Sequence, residues 1–223
     1  MSNQPVSITM KPRTKWLMIG DSITDCGRVR PIGEGKGDPL GSGYVGMIHA
    51  WLHASRPDCA IRMVNMGVSG DTVRELKARW KTDVIDLQPD GLSIMIGIND
   101  VCRHFNRPFM DELHVGLLEY EQTLEELLTA ARLNTKVQDI IVLSPFFVES
   151  NSADEIRQLT DRYGEASRRA ADRNCAQFID IQAEFDRLLQ ALPSMHLAPD
   201  RIHPNQIGHM AIARAFLRGA GSL

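Results

Sequence analysis

Trp16-Leu17-Met18-Ile19-Gly20-Asp21-Ser22-Ile23-Thr24 is the stretch on which the reading of this chain turns. Four large apolar residues in a row suit a strand buried on both faces, as in a parallel sheet covered by helices. The run breaks at Gly-Asp-Ser, where a parallel sheet delivers side chains to its ligand side. A serine there is a candidate nucleophile. Asp-Ser after Gly is also ordinary turn chemistry, so the rest of the chain must supply a base, an acid to orient it and donors for an oxyanion.

Four further apolar runs, at 61–66, 92–96, 140–143 and 177–181, read as buried strands. Helical patterns alternate with them. Residues 44–54 carry Val45, Ile48 and Leu52 at helical spacing, and 72–87 opens with a capping box, Thr72-x-x-Glu75. Residues 113–133 carry Leu117, Leu118, Leu124, Leu127 and Leu128, read as a core stripe. Ser152-x-x-Glu155 repeats the box, and Pro204 suits the first position of a last helix that runs to Leu217 and stops at Gly219. Alternating strands and helices predict right-handed crossovers and an α/β class with a parallel sheet. One domain over 1–223 is expected, with 1–14 as an N-terminal arm and no linker.

Composition narrows the function. A length of 223 residues with 43% hydrophobic content suits one sizeable domain. A net charge of −3 and a pI near 6.2, with mixed signs, show no basic patch for nucleic acid. Cys26, Cys59, Cys102 and Cys175 lie far apart without a C-x-x-C, against a disulfide framework or a zinc site. Cys26 and Cys102 fall near candidate site residues but read as small packed side chains. Residues 1–15 lack the apolar core of a signal peptide, and no apolar run approaches the ~20 residues of a membrane span. A reducing cytoplasm is therefore the default compartment.

Residues 25–43 hold Gly27, Gly33, Gly35, Gly37, Gly41 and Gly43. Gly35-Lys36-Gly37 lacks the Ser or Thr of a phosphate loop, so a substrate-site loop on the sheet rim is the better reading. Arg28 and Arg30 read either as binders of polar substrate or as solvated charges. His49 and His53 have metal-helix spacing, but no Glu follows His49, and they read as surface histidines.

Three later blocks complete the set. Gly70, in Asn65-Met66-Gly67-Val68-Ser69-Gly70-Asp71-Thr72, permits close backbone approach with a free N–H. Asn99, in Gly97-Ile98-Asn99-Asp100, offers an amide donor after the third strand. Asp200 and His203, three apart in a turn, pair a carboxylate with an imidazole. Each block alone has a plainer account: a tight turn, an Asx turn, a histidine at a helix start. Together they supply nucleophile, donors, base and orienting acid for serine acyl transfer. Asp21 and Asp100 rival Asp200 as the acid, but only Asp200 has a local path to His203.

Gly20-Asp21-Ser22, Gly70, Gly97-Ile98-Asn99-Asp100 and Asp200-Arg201-Ile202-His203 resemble the four blocks of the SGNH (GDSL) hydrolase family, over almost the whole chain. The resemblance implies a three-layer α/β/α sandwich, flavodoxin-like, with a five-stranded parallel sheet in order 2-1-3-4-5. It implies Ser22 as nucleophile, His203 as base and Asp200 as its orienter. It implies an oxyanion hole formed by the N–H groups of Ser22 and Gly70 and the Asn99 amide, and no metal or organic cofactor. Residues 20–28, Leu76-Lys77-Ala78-Arg79-Trp80, 93–101 and 208–218 are similar to the bacillar intracellular acetylxylan esterase subgroup. That likeness implies removal of acetyl groups from xylo-oligosaccharides by a cytoplasmic homo-oligomer, a dimer or higher, with no nucleic-acid or membrane partner. Pro193 and Pro199 stand where the subgroup has bulky aromatics, which bears on the oligomer. The alternatives are a lysophospholipase or a short-chain thioesterase or arylesterase of the same family, marked by a wide apolar groove beside Ser22. More remote is a non-enzymatic flavodoxin-like binding module, which has no use for Ser22, Asp200 and His203 together.

Overall fold

The computed structural model describes residues 9–223. Residues 1–8 of the expected arm lie outside the described residues. The rest of the arm is docked: Met10 is buried in the core and the Arg13 N–H donates to the Cys59 carbonyl at 2.7 Å.

Five strands, β1 Lys15–Gly20, β2 Arg62–Asn65, β3 Gly91–Met95, β4 Asp139–Leu143 and β5 Gln177–Ile179, form one parallel sheet in order β2-β1-β3-β4-β5. Successive side chains of β1 point to opposite faces. Trp16 and Met18 enter the apolar cluster under α2 (Tyr44–Ser55), α7 (Ile181–Leu189) and α8 (Gln206–Gly219). Leu17 and Ile19 enter the cluster under α3 (Val73–Ala78), α5 (Leu117–Asn134) and α6 (Glu155–Arg173). Burial on both faces is why the strand sequences read as unbroken apolar runs. The result is the α/β/α sandwich in the expected order.

The chain leaves β1 toward β2 on one side and returns to β3 on the other. That reversal opens a crevice at the C-terminal ends of β1 and β3, where ligands bind in such sheets. The short helix α1 (Ser22–Asp25) begins there directly after β1, and α4 (Ile98–Asn106) directly after β3.

Several local expectations need correction. The helix expected over 72–87 is α only to Ala78 and continues as a π-helical turn, Lys81–Ile85, after Arg79 leaves helical geometry. The capping box at Thr72 and Glu75 is present. The second box is not: Asp154, rather than Ser152, accepts the Ile156 and Arg157 N–H groups at 2.9 and 3.0 Å. Pro204 precedes α8, whose cap is Asn205. The helix expected from 113 starts at Leu117, and Leu118 is exposed rather than core. β5 stops at Ile179 because Asp180 caps α7, a helix that periodicity alone left undetected.

Gly20 pairs with Met95 across β1 and β3. A β-carbon there would overlap the Met95 carbonyl oxygen and crowd the Thr24 hydroxyl. We expect Gly20→Ala to lower unfolding free energy by about 1–3 kcal/mol or more, the cost of overpacking against backbone. Urea titration of wild type and variant measures it, and equal midpoints would show that the sheet yields there.

Candidate active site

Ser22 is the first residue of α1. Its neighbour Asp21 caps that helix, taking the Ile23 N–H at 3.0 Å through Oδ1. Gly20 ends the strand and Asp21 turns the chain, so the serine is held at the strand's tip and partly exposed.

His203 arrives from the far end of the sequence. Its Nε2 lies 2.9 Å from Ser22 Oγ and its Nδ1 lies 2.6 Å from Asp200 Oδ2. With Nδ1–H donated to the carboxylate, Nε2 is the nitrogen left to accept a hydrogen bond from the Ser22 hydroxyl. Asp200 Oδ1 also accepts the Ile202 and His203 N–H groups at 3.0 and 2.7 Å. Burial pushes the Asp200 carboxyl up, but these bonds and the neighbouring imidazole outweigh it and hold it below its ordinary value. Arg201 anchors the turn from behind. It adopts a left-handed φ of 65°. Its guanidinium pairs with Glu149 at 2.9 Å and Asp154 at 3.3 Å, and stacks 4.8 Å over Phe147. Asp21 and Asp100 do not bond to His203; their carboxylates serve the Ile23 and Val73 N–H groups.

Gly70 sits in the turn after β2 with φ 87°, a conformation that favours glycine. The turn is clamped on both sides. Asp25 Oδ2 accepts both the N–H and the hydroxyl of Ser69 at 3.0 Å, and Arg103 donates to the Gly70 carbonyl at 3.0 Å. Among the described residues, no protein acceptor takes the N–H of Ser22 or Gly70. Asn99 donates one amide hydrogen to the Asp71 carbonyl at 3.0 Å, which ties α4 to this turn. Asp100 makes a second tie, accepting the Val73 N–H at 3.0 Å.

Two carboxyls under this site are fully buried. Burial raises Asp21 to about 7, with the Ile23 N–H and His203 acting against it. Burial likewise raises Asp100 to about 7, and the nearby Asp21 charge adds to it. Asp100 Oδ2 has no hydrogen-bond partner.

Of the other side chains, Arg28 lies elsewhere than the sequence suggested, while Cys102 packs as expected. Arg28 is neither solvated nor free for substrate: it is buried and donates to the carbonyls of Gly67, Val29 and Pro31. Arg30 pairs with Asp25 at 2.6 Å. The glycine-rich loop folds against α2 and lines, with His49, a cavity of about 170 Å³. Cys26 lies 3.2 Å from His209 Nε2, but burial pushes the thiol up to about 11 and the imidazole down to about 4, so the pair stays neutral. Cys102 is a packed core residue. Sequence reasoning missed Asp25, Arg79 and Arg103; an arginine in the last turn or at the end of a helix carries no local sign of a carbonyl partner across the fold.

The GDSL-like lipase/acylhydrolase family model matches residues 18–211, and the chain belongs to that family. It is 51% identical to an acetylxylan esterase of Geobacillus stearothermophilus, over 93% of this chain and 94% of that one. The crystal structure of that organism's acetylxylan esterase Axe2 superposes with a TM-score of 0.93 at 48% identity, covering 96% of this chain and 97% of the other. An alpha/beta hydrolase enzyme from the metagenome of Lake Arreo, Spain, superposes with a TM-score of 0.92 at 48% identity and the same coverage. Structures described as catalytic mutants of Axe2 replace a serine, a histidine and an aspartate by alanine, the last two three positions apart.

The buried Asp100 sets a pH dependence. Its carboxyl is raised from 3.8 to about 7 on folding. Below about pH 4 it is protonated in both states and costs nothing. Between about pH 4 and 7 the folded protein keeps a proton that the unfolded chain releases, so stability falls as pH rises. Asp100→Asn mimics the neutral acid. Its stability relative to wild type should rise by a few kcal/mol between about pH 4 and pH 8. Urea unfolding at the two pH values tests this; a difference that does not change with pH rejects it.

Proposed function

We propose that this chain is a serine esterase that removes acetyl groups from acetylated carbohydrates of the xylo-oligosaccharide type, working as one catalytic domain. The observation that carries the reading is the continuous line Ser22 Oγ–His203 Nε2 and His203 Nδ1–Asp200 at 2.9 and 2.6 Å, open to solvent at the crevice of the sheet. Similarity to the Geobacillus acetylxylan esterase supports the substrate class.

His203 takes the Ser22 proton as the hydroxyl attacks the ester carbonyl. Asp200 holds the imidazole in the right tautomer and stabilises its cation. The oxyanion is met by the N–H of Ser22, the N–H of Gly70 and the second amide hydrogen of Asn99. Collapse of the tetrahedral adduct expels the sugar alcohol with the proton from His203. Water, deprotonated by His203, then attacks the acetyl-enzyme carbonyl, and as the Ser22 Oγ–acyl bond breaks His203 returns the proton to Oγ and acetate leaves.

The family likeness also supports a cytoplasmic homo-oligomer. Among the described residues no helix is long and apolar enough to cross a membrane. Pro193 and Pro199 lie exposed on the segment before Asp200, where the subgroup's aromatics stand, so subunit order is read by light scattering.

Ser22→Ala should fold as wild type and hydrolyse no p-nitrophenyl acetate; retained turnover sinks the nucleophile. Asn99→Ala should lose ~10²–10³ in kcat, about 3–4 kcal/mol, with KM nearly unchanged. A change in KM alone would make Asn99 a ground-state binder. A panel of acetylated xylose, p-nitrophenyl esters of rising chain length and lysophospholipid should favour acetyl. Preference for long chains would move the chain to the lysophospholipase reading.

A further inference from the structure

Arg79 closes α3, and its guanidinium turns back under the site with its side chain mostly covered. Its Nε donates to Asp71 Oδ2 at 2.6 Å. Its Nη1 donates to the Met66 carbonyl at 2.7 Å and to Asp83 Oδ2 at 2.8 Å. Its Nη2 donates to the Gly20 carbonyl at 3.0 Å.

These acceptors come from segments with different tasks. Gly20 ends β1, two residues before Ser22. Met66 follows β2 at the entry to the Gly70 turn. Asp71 adjoins Gly70, and its carbonyl receives the Asn99 amide. Asp83, on the π-helical turn, braces the guanidinium from the outer side. One rigid fork therefore links the tip of the strand that bears the serine to the turn that bears the Gly70 N–H and, through the Asp71 carbonyl, holds the Asn99 amide.

We propose that Arg79 is a positioning residue for acyl transfer, setting the spacing between Ser22 on one side and the Gly70 N–H and Asn99 amide on the other. This rests on the reading of those three residues as the acyl-transfer set. The choice of arginine has a physical reason. The guanidinium presents five N–H donors in a fixed plane and reaches several segments at once, whereas a lysine ammonium is a point charge on a flexible stem. Misplacing donors by about 1 Å costs on the order of 10²-fold in rate. An anchor at this junction acts on kcat without touching the substrate.

The test uses the full chain, comparing wild type, Arg79→Lys, Asp71→Asn and Ser22→Ala on p-nitrophenyl acetate. Near-ultraviolet circular dichroism and thermal melting give the folded fraction. Phenylboronic acid, which forms a tetrahedral adduct on a reactive serine, reports the oxyanion site separately. Arg79→Lys should lose about 10- to 100-fold in kcat per folded molecule, with KM within twofold and a parallel loss of boronic acid affinity. A kcat within twofold of wild type at equal folded fraction overturns the proposal, as does a loss confined to KM. Should Arg79→Lys fail to fold, Asp71→Asn, which keeps an acceptor for Nε and loses its charge, is judged by the same two readouts. Ser22→Ala separates the failures. Turnover retained there removes the site reading itself, whereas an inactive Ser22→Ala beside a fully active Arg79→Lys removes only the role of Arg79.

Discussion

The Gly20 carbonyl takes two hydrogen bonds, from the Val68 N–H and from Arg79, both at 3.0 Å, while a β-carbon on the same residue would overlap the Met95 carbonyl oxygen. No side chain fits at that point. β1 can therefore lie close against β3 and still end abruptly, with its last carbonyl shared between the loop after β2 and the end of α3. Asp21 then reverses the chain and caps α1, which leaves Ser22 at the tip. If the strand end moved, the serine, the Gly70 turn and the Asn99 amide would move relative to one another.

His203 meets that fixed point from a turn anchored independently. Asp200 bonds to the imidazole and to two N–H groups of its own turn, and Arg201 ties the turn to Glu149, Asp154 and Phe147. Two separately braced halves thus meet at a single Oγ–Nε2 contact. The same neighbourhood holds the costly groups, Asp21 and Asp100, buried carboxyls raised to about 7. Burial of ionisable groups under a working site is a common place for a protein to give up stability. The gain here is geometric, since Asp21 fixes the start of α1 and Asp100 fixes the start of α3.

Much of this was legible beforehand because it is local. Strands buried on both faces announce themselves as apolar runs, and β1, β3 and β4 fall within a residue of the runs that predicted them. The Thr72–Glu75 box is a short-range reciprocal bond and is where its spacing put it. Errors arose where a local pattern had competitors. Asp154 outcompeted Ser152 as a cap, Asn205 displaced the start expected at Pro204, and Leu118 followed the helical period yet faces solvent.

The amino-acid sequence by itself determined the class of fold, the order of the four blocks and the pairing of Asp200 with His203, since each rests on periodicity, turn chemistry or neighbours within a few residues. Tertiary structure alone decided that Ser22 lies 2.9 Å from His203, that Arg28 is buried against Gly67, and that Arg79 joins Gly20, Met66 and Asp71. Those partners lie from 8 to 181 positions apart. A charged side chain carries no mark of which distant carbonyl it will meet, because that depends on how the strand ends converge at one edge of the sheet.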